Sequence, residues 1–244
     1  MTLARSILFN LLFFGWTIAL GLVSWPAALL PRPAVVAVYD LWRRGVAVIT
    51  RAAAGIGQRW IGLDRLPSGP VIFAAKHQSA WDTIEMPARL GHVAVVIKRE
   101  LLWLPVYGWL ARRYGVIAVD REAGGKALRR MLADAKAMAD GGRSILIYPQ
   151  GTRAAPGVSL PYQPGVAALY AHLGLPVVPV ALNSGCFWGR RAFRKRPGTI
   201  VVELLPAIPP GLGRREFMAR LEAATEAATD RLVAAATSAR PGSG

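Results

Sequence analysis

From residue 70 onward, the sequence alternates short apolar runs with longer stretches of helical periodicity. The runs are VIFAA (71–75), HVAVVI (92–97), GVIAV (115–119), SILIY (144–148), VVPVAL (177–182) and TIVVEL (199–204). Helix candidates lie near 81–90, 101–113, 124–140, 164–173 and 214–237. Because such alternation is typical of α/β proteins, we predict a mostly parallel or mixed central sheet flanked by helices.

The N-terminal region has a different pattern, which predicts a pair of membrane-associated helices over 1–60. Residues 7–30 carry no charged side chain, and a bilayer span needs roughly 20 apolar residues. Residues 35–60 repeat apolar side chains at helical spacing, as in a helix at a membrane interface or one packed on the protein core. A cleaved signal peptide is disfavoured because no clear A-x-A site follows.

These patterns divide the chain into three parts. We expect the membrane-associated helices over 1–60, a main domain with its C-terminal helix over 61–239, and a disordered tail over 240–244. Whether the first helix spans the bilayer or dips into one leaflet stays open.

The composition narrows the class of partner. The chain has 30 Lys and Arg against 14 Asp and Glu, and 53% of its residues are hydrophobic. This combination favours an anionic membrane surface, where each basic residue contributes roughly 1 kcal/mol. The stretch WGRRAFRKRPG (188–198) also fits nucleic acid, since it interleaves basic and aromatic residues, but no nucleic-acid partner is expected. With Cys186 as the single cysteine, an intrachain disulfide and a cysteine-based zinc cluster are excluded.

Polar side chains follow four of the predicted strands at the point where each strand ends. They are His77, Lys98, Asp120, Arg121, Gln150, Thr152 and Arg153. Ligands of open α/β sheets bind at the carboxyl ends of the strands, so we expect these residues to form one site. The alternative is that charged residues simply collect in loops.

The stretch KHQSAWD (76–82) contains the best candidate for a catalytic base. On one continuous helix, His77 and Asp82 would be about 140° apart and would not meet. If His77 lies in the loop and Asp82 in the first helical turn, the carboxylate can orient the imidazole as a general base. Capping of the helix by Ser79 or Asp82 is the structural alternative.

The group that this base would deprotonate is not evident in the chain. There is no G-x-S-x-G motif, which would mark a serine nucleophile, so the hydroxyl is expected to belong to the substrate. Lys98, Arg121 and Arg153 could hold a phosphate, and Gly151 allows close approach to the backbone. Together these features indicate acyl transfer to a phosphate-bearing alcohol at a membrane.

Four blocks in order resemble the 1-acylglycerol-3-phosphate acyltransferase (lysophosphatidic acid acyltransferase) family. They are KHQSAWD (76–82), GVIAVDR (115–121), PQGTR (149–153) and LPVVPVAL (175–182). The resemblance implies that His77 is the catalytic base and that Asp82 orients it. By the same resemblance, Lys98, Arg121 and Arg153 would hold the acceptor phosphate, with Gly151 and Thr152 beside it. Gln150 is also expected among the substrate-binding residues.

The resemblance also implies the reaction and its setting. It implies acylation of the sn-2 hydroxyl of lysophosphatidic acid to phosphatidic acid, in phospholipid biosynthesis. The donor would be acyl-CoA or acyl-carrier protein, with no metal or other cofactor, and the enzyme would lie on the cytoplasmic side of the inner membrane. The alternatives are another lysolipid acceptor, such as a lyso-aminolipid, and a non-catalytic lipid-binding role. The basic stretch 188–198 would meet anionic head groups or the phosphates of the donor. Gln150 replaces the family's usual glutamate, which puts any role for a carboxylate there in doubt.

Overall fold

The structure, a computed structural model, describes residues 3–120 and 124–238. Within these residues, seven strands form one sheet in the order β1-β7-β6-β2-β5-β3-β4. The strands are β1 (Ile56–Ile61), β2 (Ile72–Ala75), β3 (Ala94–Lys98), β4 (Ile117–Val119), β5 (Ile145–Ile147), β6 (Val177–Leu182) and β7 (Gly198–Leu204). Neighbouring strands are parallel except β6 and β7, which are antiparallel. The predicted mixed α/β sheet is therefore confirmed.

Helices cover the sheet and precede it. Among the described residues they are α1 (Leu3–Ser24), α2 (Arg32–Ala52), α3 (Ala80–Arg89), α4 (Tyr107–Tyr114), α5 (Gly124–Asp140), α6 (Gly165–Leu173) and α7 (Arg214–Ser238). Short 3₁₀ helices include Trp25–Leu29 after α1 and Arg99–Trp103 after β3. The predicted tail, 240–244, lies outside the described residues.

Alternate residues of β2 enter two cores because successive side chains of a strand point to opposite faces. Phe73 packs in one core with Ile84 of α3, and Ile72 packs in the other with Phe217 of α7. All four residues of β2 are buried, so the strand is central to the fold. The residues that follow it are consequently held in fixed positions.

The predicted helix over 35–60 is wrong at its C-terminal end. Helix α2 ends at Ala52, and β1 follows it and pairs with β7 in parallel. The backbone φ of Gly55 is 66°, a left-handed conformation that ends helices and that glycine adopts without steric cost. Residues 56–60 therefore belong to the central sheet.

The first two helices pack against each other as a hairpin. The indole N–H of Trp16 donates to the backbone oxygen of Trp42 at 2.9 Å, and the indole of Trp42 donates to Thr17 Oγ1 at 3.1 Å. Within the described part of the chain, one apolar helical stretch, Leu3–Ala27, is long enough to cross a membrane. Only 11% of its most apolar 18-residue segment is buried inside the protein, so most of the side chains of that segment face outward.

Candidate functional site

His77 and Asp82 meet as the sequence predicts. His77 lies in the connection between β2 and α3, and Asp82 lies in the first turn of α3. His77 Nδ1 is 2.9 Å from Asp82 Oδ2. A carboxylate can only accept a hydrogen bond, so this contact places the proton on Nδ1 and leaves the lone pair of Nε2 available. The geometry suits a general base, although the catalytic roles of both residues stay predictions.

The same carboxylate oxygen also caps helix α3. The backbone N–H groups of Gln78 and Ser79 donate to Asp82 Oδ2 at 2.8 and 2.9 Å. The hydroxyl of Ser79 in turn accepts from the N–H of Trp81 at 3.1 Å. The orienting role and the capping role that the sequence offered as alternatives therefore coexist. Asp82 has no exposed surface, so the imidazole is held against a fixed carboxylate.

Tyr148, a residue that the sequence reasoning did not single out, stacks on the histidine. The ring centroids of His77 and Tyr148 are 4.1 Å apart, with 24° between the planes. Burial raises the pKa of the Tyr148 hydroxyl well above its usual value, so the tyrosine stays neutral. The sequence pattern could have indicated this contact, because Tyr148 directly follows β5, the parallel neighbour of β2.

The loop after β5 is bound to the backbone at His77. The N–H of Gly151 donates to the carbonyl of Tyr148 at 2.8 Å, which closes a tight turn. The N–H of Ala154 donates to the carbonyl of His77 at 2.8 Å. These bonds bring the predicted residues Gly151, Thr152 and Arg153 to the same cavity as His77.

That cavity has a volume of about 1180 Å³. The cavity is lined by one histidine and five charged residues, namely His77, Lys98, Asp120, Arg153, Arg190 and Arg191. Most of the remaining lining is apolar and comes from α1, α2, α4, α5, β3 and β4. Lys98 thus lies where the sequence predicts, whereas Arg121 falls outside the described residues. A mostly apolar cavity that is also lined by a histidine and several cations can hold an amphiphile with an anionic head group.

Gln150 does not line the cavity, contrary to the predicted place at the substrate. Its side chain is buried, and Nε2 donates to the backbone oxygen of Leu160 at 3.1 Å. This hydrogen bond is partly buried and joins the loop after β5 to residue 160. The residue therefore supports the loop from within.

Lys76 is the residue whose place the sequence did not indicate. It is 2% exposed, and its Nζ lies 2.5 Å from Glu226 Oε2 and 3.2 Å from the oxygen of Val158. Glu226 Oε1 accepts from the hydroxyl of Tyr162 at 2.9 Å. This partly buried ion pair joins the end of β2 to α7. Lys76 is not part of the cavity lining.

Sequence comparison places this chain in a known family. Residues 59–183 match the family described as Acyltransferase. The 1-acyl-sn-glycerol-3-phosphate acyltransferase of Pseudomonas aeruginosa is 35% identical over 206 residues, which cover 84% of this chain and 80% of that protein. The human 1-acyl-sn-glycerol-3-phosphate acyltransferase alpha is 33% identical over 148 residues, and the match covers 59% of this chain and 51% of the human protein.

A solved structure has the same fold over nearly the whole chain. It is the crystal structure of the 1-acyl-sn-glycerophosphate acyltransferase of Thermotoga maritima, with a TM-score of 0.74 and coverage of 98% of both chains. At 20% identity, this likeness concerns the fold alone. The family match and the Pseudomonas relative go further, and they show that this chain belongs to the acyltransferase family.

Proposed function

We propose that this protein transfers a fatty acyl group to the sn-2 hydroxyl of lysophosphatidic acid and so forms phosphatidic acid. The observation that carries the proposal is the His77–Asp82 pair, 2.9 Å apart, with His77 on the wall of a mostly apolar cavity that is also lined by Lys98, Arg153, Arg190 and Arg191. Relatives whose names specify a 1-acyl-sn-glycerol-3-phosphate acceptor support the choice of substrate.

In the proposed reaction His77 is the general base. Nε2 takes the proton of the acceptor hydroxyl while that oxygen attacks the carbonyl carbon of the donor thioester. The carbon–sulfur bond then breaks, and the imidazolium returns the proton to the departing thiolate. Asp82 accepts from Nδ1–H throughout and stabilises the transient positive charge of the ring. General base catalysis of this kind contributes about 10²–10⁴-fold.

The proposed binding roles divide the cavity between head group and chain. Lys98 and Arg153 hold the acceptor phosphate, together with Arg121, and Gly151 and Thr152 lie beside it. The apolar lining takes a fatty acyl chain, whose burial contributes roughly 0.8 kcal/mol per methylene group. The donor is acyl-CoA or acyl-carrier protein.

The proposed setting is a membrane surface, and we place the catalytic domain on its cytoplasmic side. Large apolar side chains are exposed on α1, at Leu11 and Leu22, and on the segment around α4, at Trp103 and Trp109. Tryptophan favours the boundary between water and lipid. The α1 surface and the α4 surface would therefore enter the lipid together and bring the cavity to the membrane-borne acceptor.

A panel of acceptors tests the proposed substrate. The full-length protein would be assayed in mixed micelles with acyl-CoA and acyl-carrier protein as donors. The acceptors would be lysophosphatidic acid, other lysophospholipids and a lyso-aminolipid. We expect the highest kcat/KM for lysophosphatidic acid, because its phosphate meets the cations beside His77. A higher kcat/KM for an acceptor without a terminal phosphate would contradict the assignment.

A further inference from the structure

Cationic side chains lie on both sides of His77. The sheet order places β5 and then β3 on one side of β2, with β6 and then β7 on the other. Lys98 ends β3, whereas Arg190 and Arg191 lie in the connection between β6 and β7. All three residues line the cavity that contains His77. Lys98 and the two arginines therefore reach the cavity of His77 from elements on opposite sides of β2.

The connection between β6 and β7, which carries the two arginines, is held in place by hydrogen bonds and packing. Lys195 is 3% exposed, and its Nζ donates to the carbonyls of Ala192 and Phe193 at 2.7 and 3.2 Å. The N–H of Lys195 donates to Ser6 Oγ of α1 at 3.2 Å. Trp188 packs edge-on against Phe9, with ring centroids 4.9 Å apart. The connection is thus bound internally and to α1, so its exposed arginines are presented from a fixed support.

Arg190 contacts the 149–154 loop, and within residues 3–120 and 124–238 no ion pair with a carboxylate involves Arg190 or Arg191. Arg190 Nη1 donates to the carbonyl of Arg153 at 3.3 Å, which places its guanidinium beside the 149–154 loop. Asp120 is the one carboxylate of the cavity lining within residues 3–120 and 124–238, and it pairs with Arg99 at 2.9 Å. Arg191 has a backbone φ of 54°, which residues other than glycine rarely adopt. Such strain is concentrated at functional sites.

The acceptor and the donor of the acyl group both carry a phosphate, but the phosphate lies at a different distance from the reacting group in each. In the acceptor, the phosphate is only a few bonds from the reacting hydroxyl. In the donor, the long phosphopantetheine arm separates the phosphate from the thioester. Arg190 and Arg191 are both exposed, as expected for a group that meets the donor's phosphate at the cavity mouth. We propose that Arg190 and Arg191 bind the phosphate of the donor's phosphopantetheine arm, an inference that rests on the proposed function.

This phosphate is common to acyl-CoA and acyl-carrier protein, so a donor series tests the proposal. Full-length Arg190→Gln/Arg191→Gln would be compared with the wild type on acyl-CoA, acyl-carrier protein, acyl-phosphopantetheine and acyl-pantetheine. We expect KM to rise about tenfold for each phosphate-bearing donor that the wild type uses, since charge-assisted hydrogen bonds to phosphate are lost. For acyl-pantetheine, which lacks the phosphate, KM should be the same in both proteins. The KM for the acceptor should not change.

Arg194→Gln is the matched control, because Arg194 is exposed on the same connection but does not line the cavity. It should leave every donor KM unchanged. An unchanged KM for phosphate-bearing donors in the double variant would overturn the proposal. So would a rise for acyl-pantetheine or for the acceptor, or a loss confined to binding of anionic lipid vesicles.

Calorimetric titration separates this proposal from the proposed function. Free CoA and free pantetheine would be titrated into the detergent-solubilised wild type and the double variant. We expect CoA to bind the wild type about tenfold more tightly than the double variant, with no such difference for pantetheine. This result would support a phosphate site at Arg190 and Arg191 even if lysophosphatidic acid is not the acceptor. Equal binding of CoA by the two proteins would overturn the site even if acyl transfer is confirmed.

Discussion

At the scale of single residues, Lys76 and His77 are neighbours in sequence whose side chains point in different directions. The N–H of Lys76 donates to Val180 at 2.9 Å and so continues the pairing of β2. Lys76 points to α7 and its partner Glu226, and His77 points to the cavity. The contact between His77 and Asp82 was predictable because the two are five positions apart. The partner of Lys76 is 150 positions away, and no local pattern indicates a contact of that separation.

A residue-scale prediction concerns Gln150. Gln150→Glu replaces the N–H donor that faces the carbonyl of Leu160 with an oxygen. Two acceptors would then face each other in a partly buried position, which costs about 1–3 kcal/mol. We expect a lower thermal midpoint and no gain in kcat, measured by thermal unfolding in detergent and by the transfer assay. The exposed Gln163 gives the control Gln163→Glu, which should leave the midpoint unchanged. A more stable or faster Gln150→Glu would show that the position does accept a carboxylate.

At the scale of elements, the sequence predicts six strands well and misses β1. Ile56 and Trp60 fit helical spacing as well as they fit a strand, so periodicity alone cannot separate the two. Two features decide it in the structure. Gly55 ends the helix in a left-handed conformation, and Ile56 pairs with Gly198 of β7. The second of these is a long-range contact, which a local pattern does not encode.

The packing of α1 on α2 gives an element-scale prediction. A Cβ atom on Gly45 would lie 2.3 Å from Trp16 Nε1, whereas one on Gly15 would have no atom within 4 Å. Alanine for glycine normally favours a helix by up to about 1 kcal/mol. Gly15→Ala should therefore keep or raise the thermal midpoint. Gly45→Ala should lower stability by about 1–3 kcal/mol, because it forces the helices apart. Equal midpoints for the two variants would mean that the hairpin does not pack in this way.

At the scale of the whole molecule, the site is assembled from parts that are distant in sequence. The sequence predicted the strand ends and hence the positions of His77, Lys98 and Arg153, because parallel strands present their carboxyl ends at one edge. It did not predict which helices close the cavity. It offered the 188–198 stretch as a site for the donor's phosphates, but did not indicate that Arg190 and Arg191 line the same cavity as His77. Those facts depend on how α1 packs against the 188–196 connection. Such packing is a property of the folded chain.

The proposed mechanism depends on His77 as the general base for acyl transfer. The most direct test is the initial rate of phosphatidic acid formation by full-length wild type and His77→Ala. Both would be measured with saturating lysophosphatidic acid and acyl donor. Thermal unfolding would establish that the variant is folded. The mechanism predicts that kcat falls by about 10²–10⁴-fold in the variant, because the imidazole that takes the proton of the acceptor hydroxyl is missing. Equal rates for the folded variant and the wild type would contradict it.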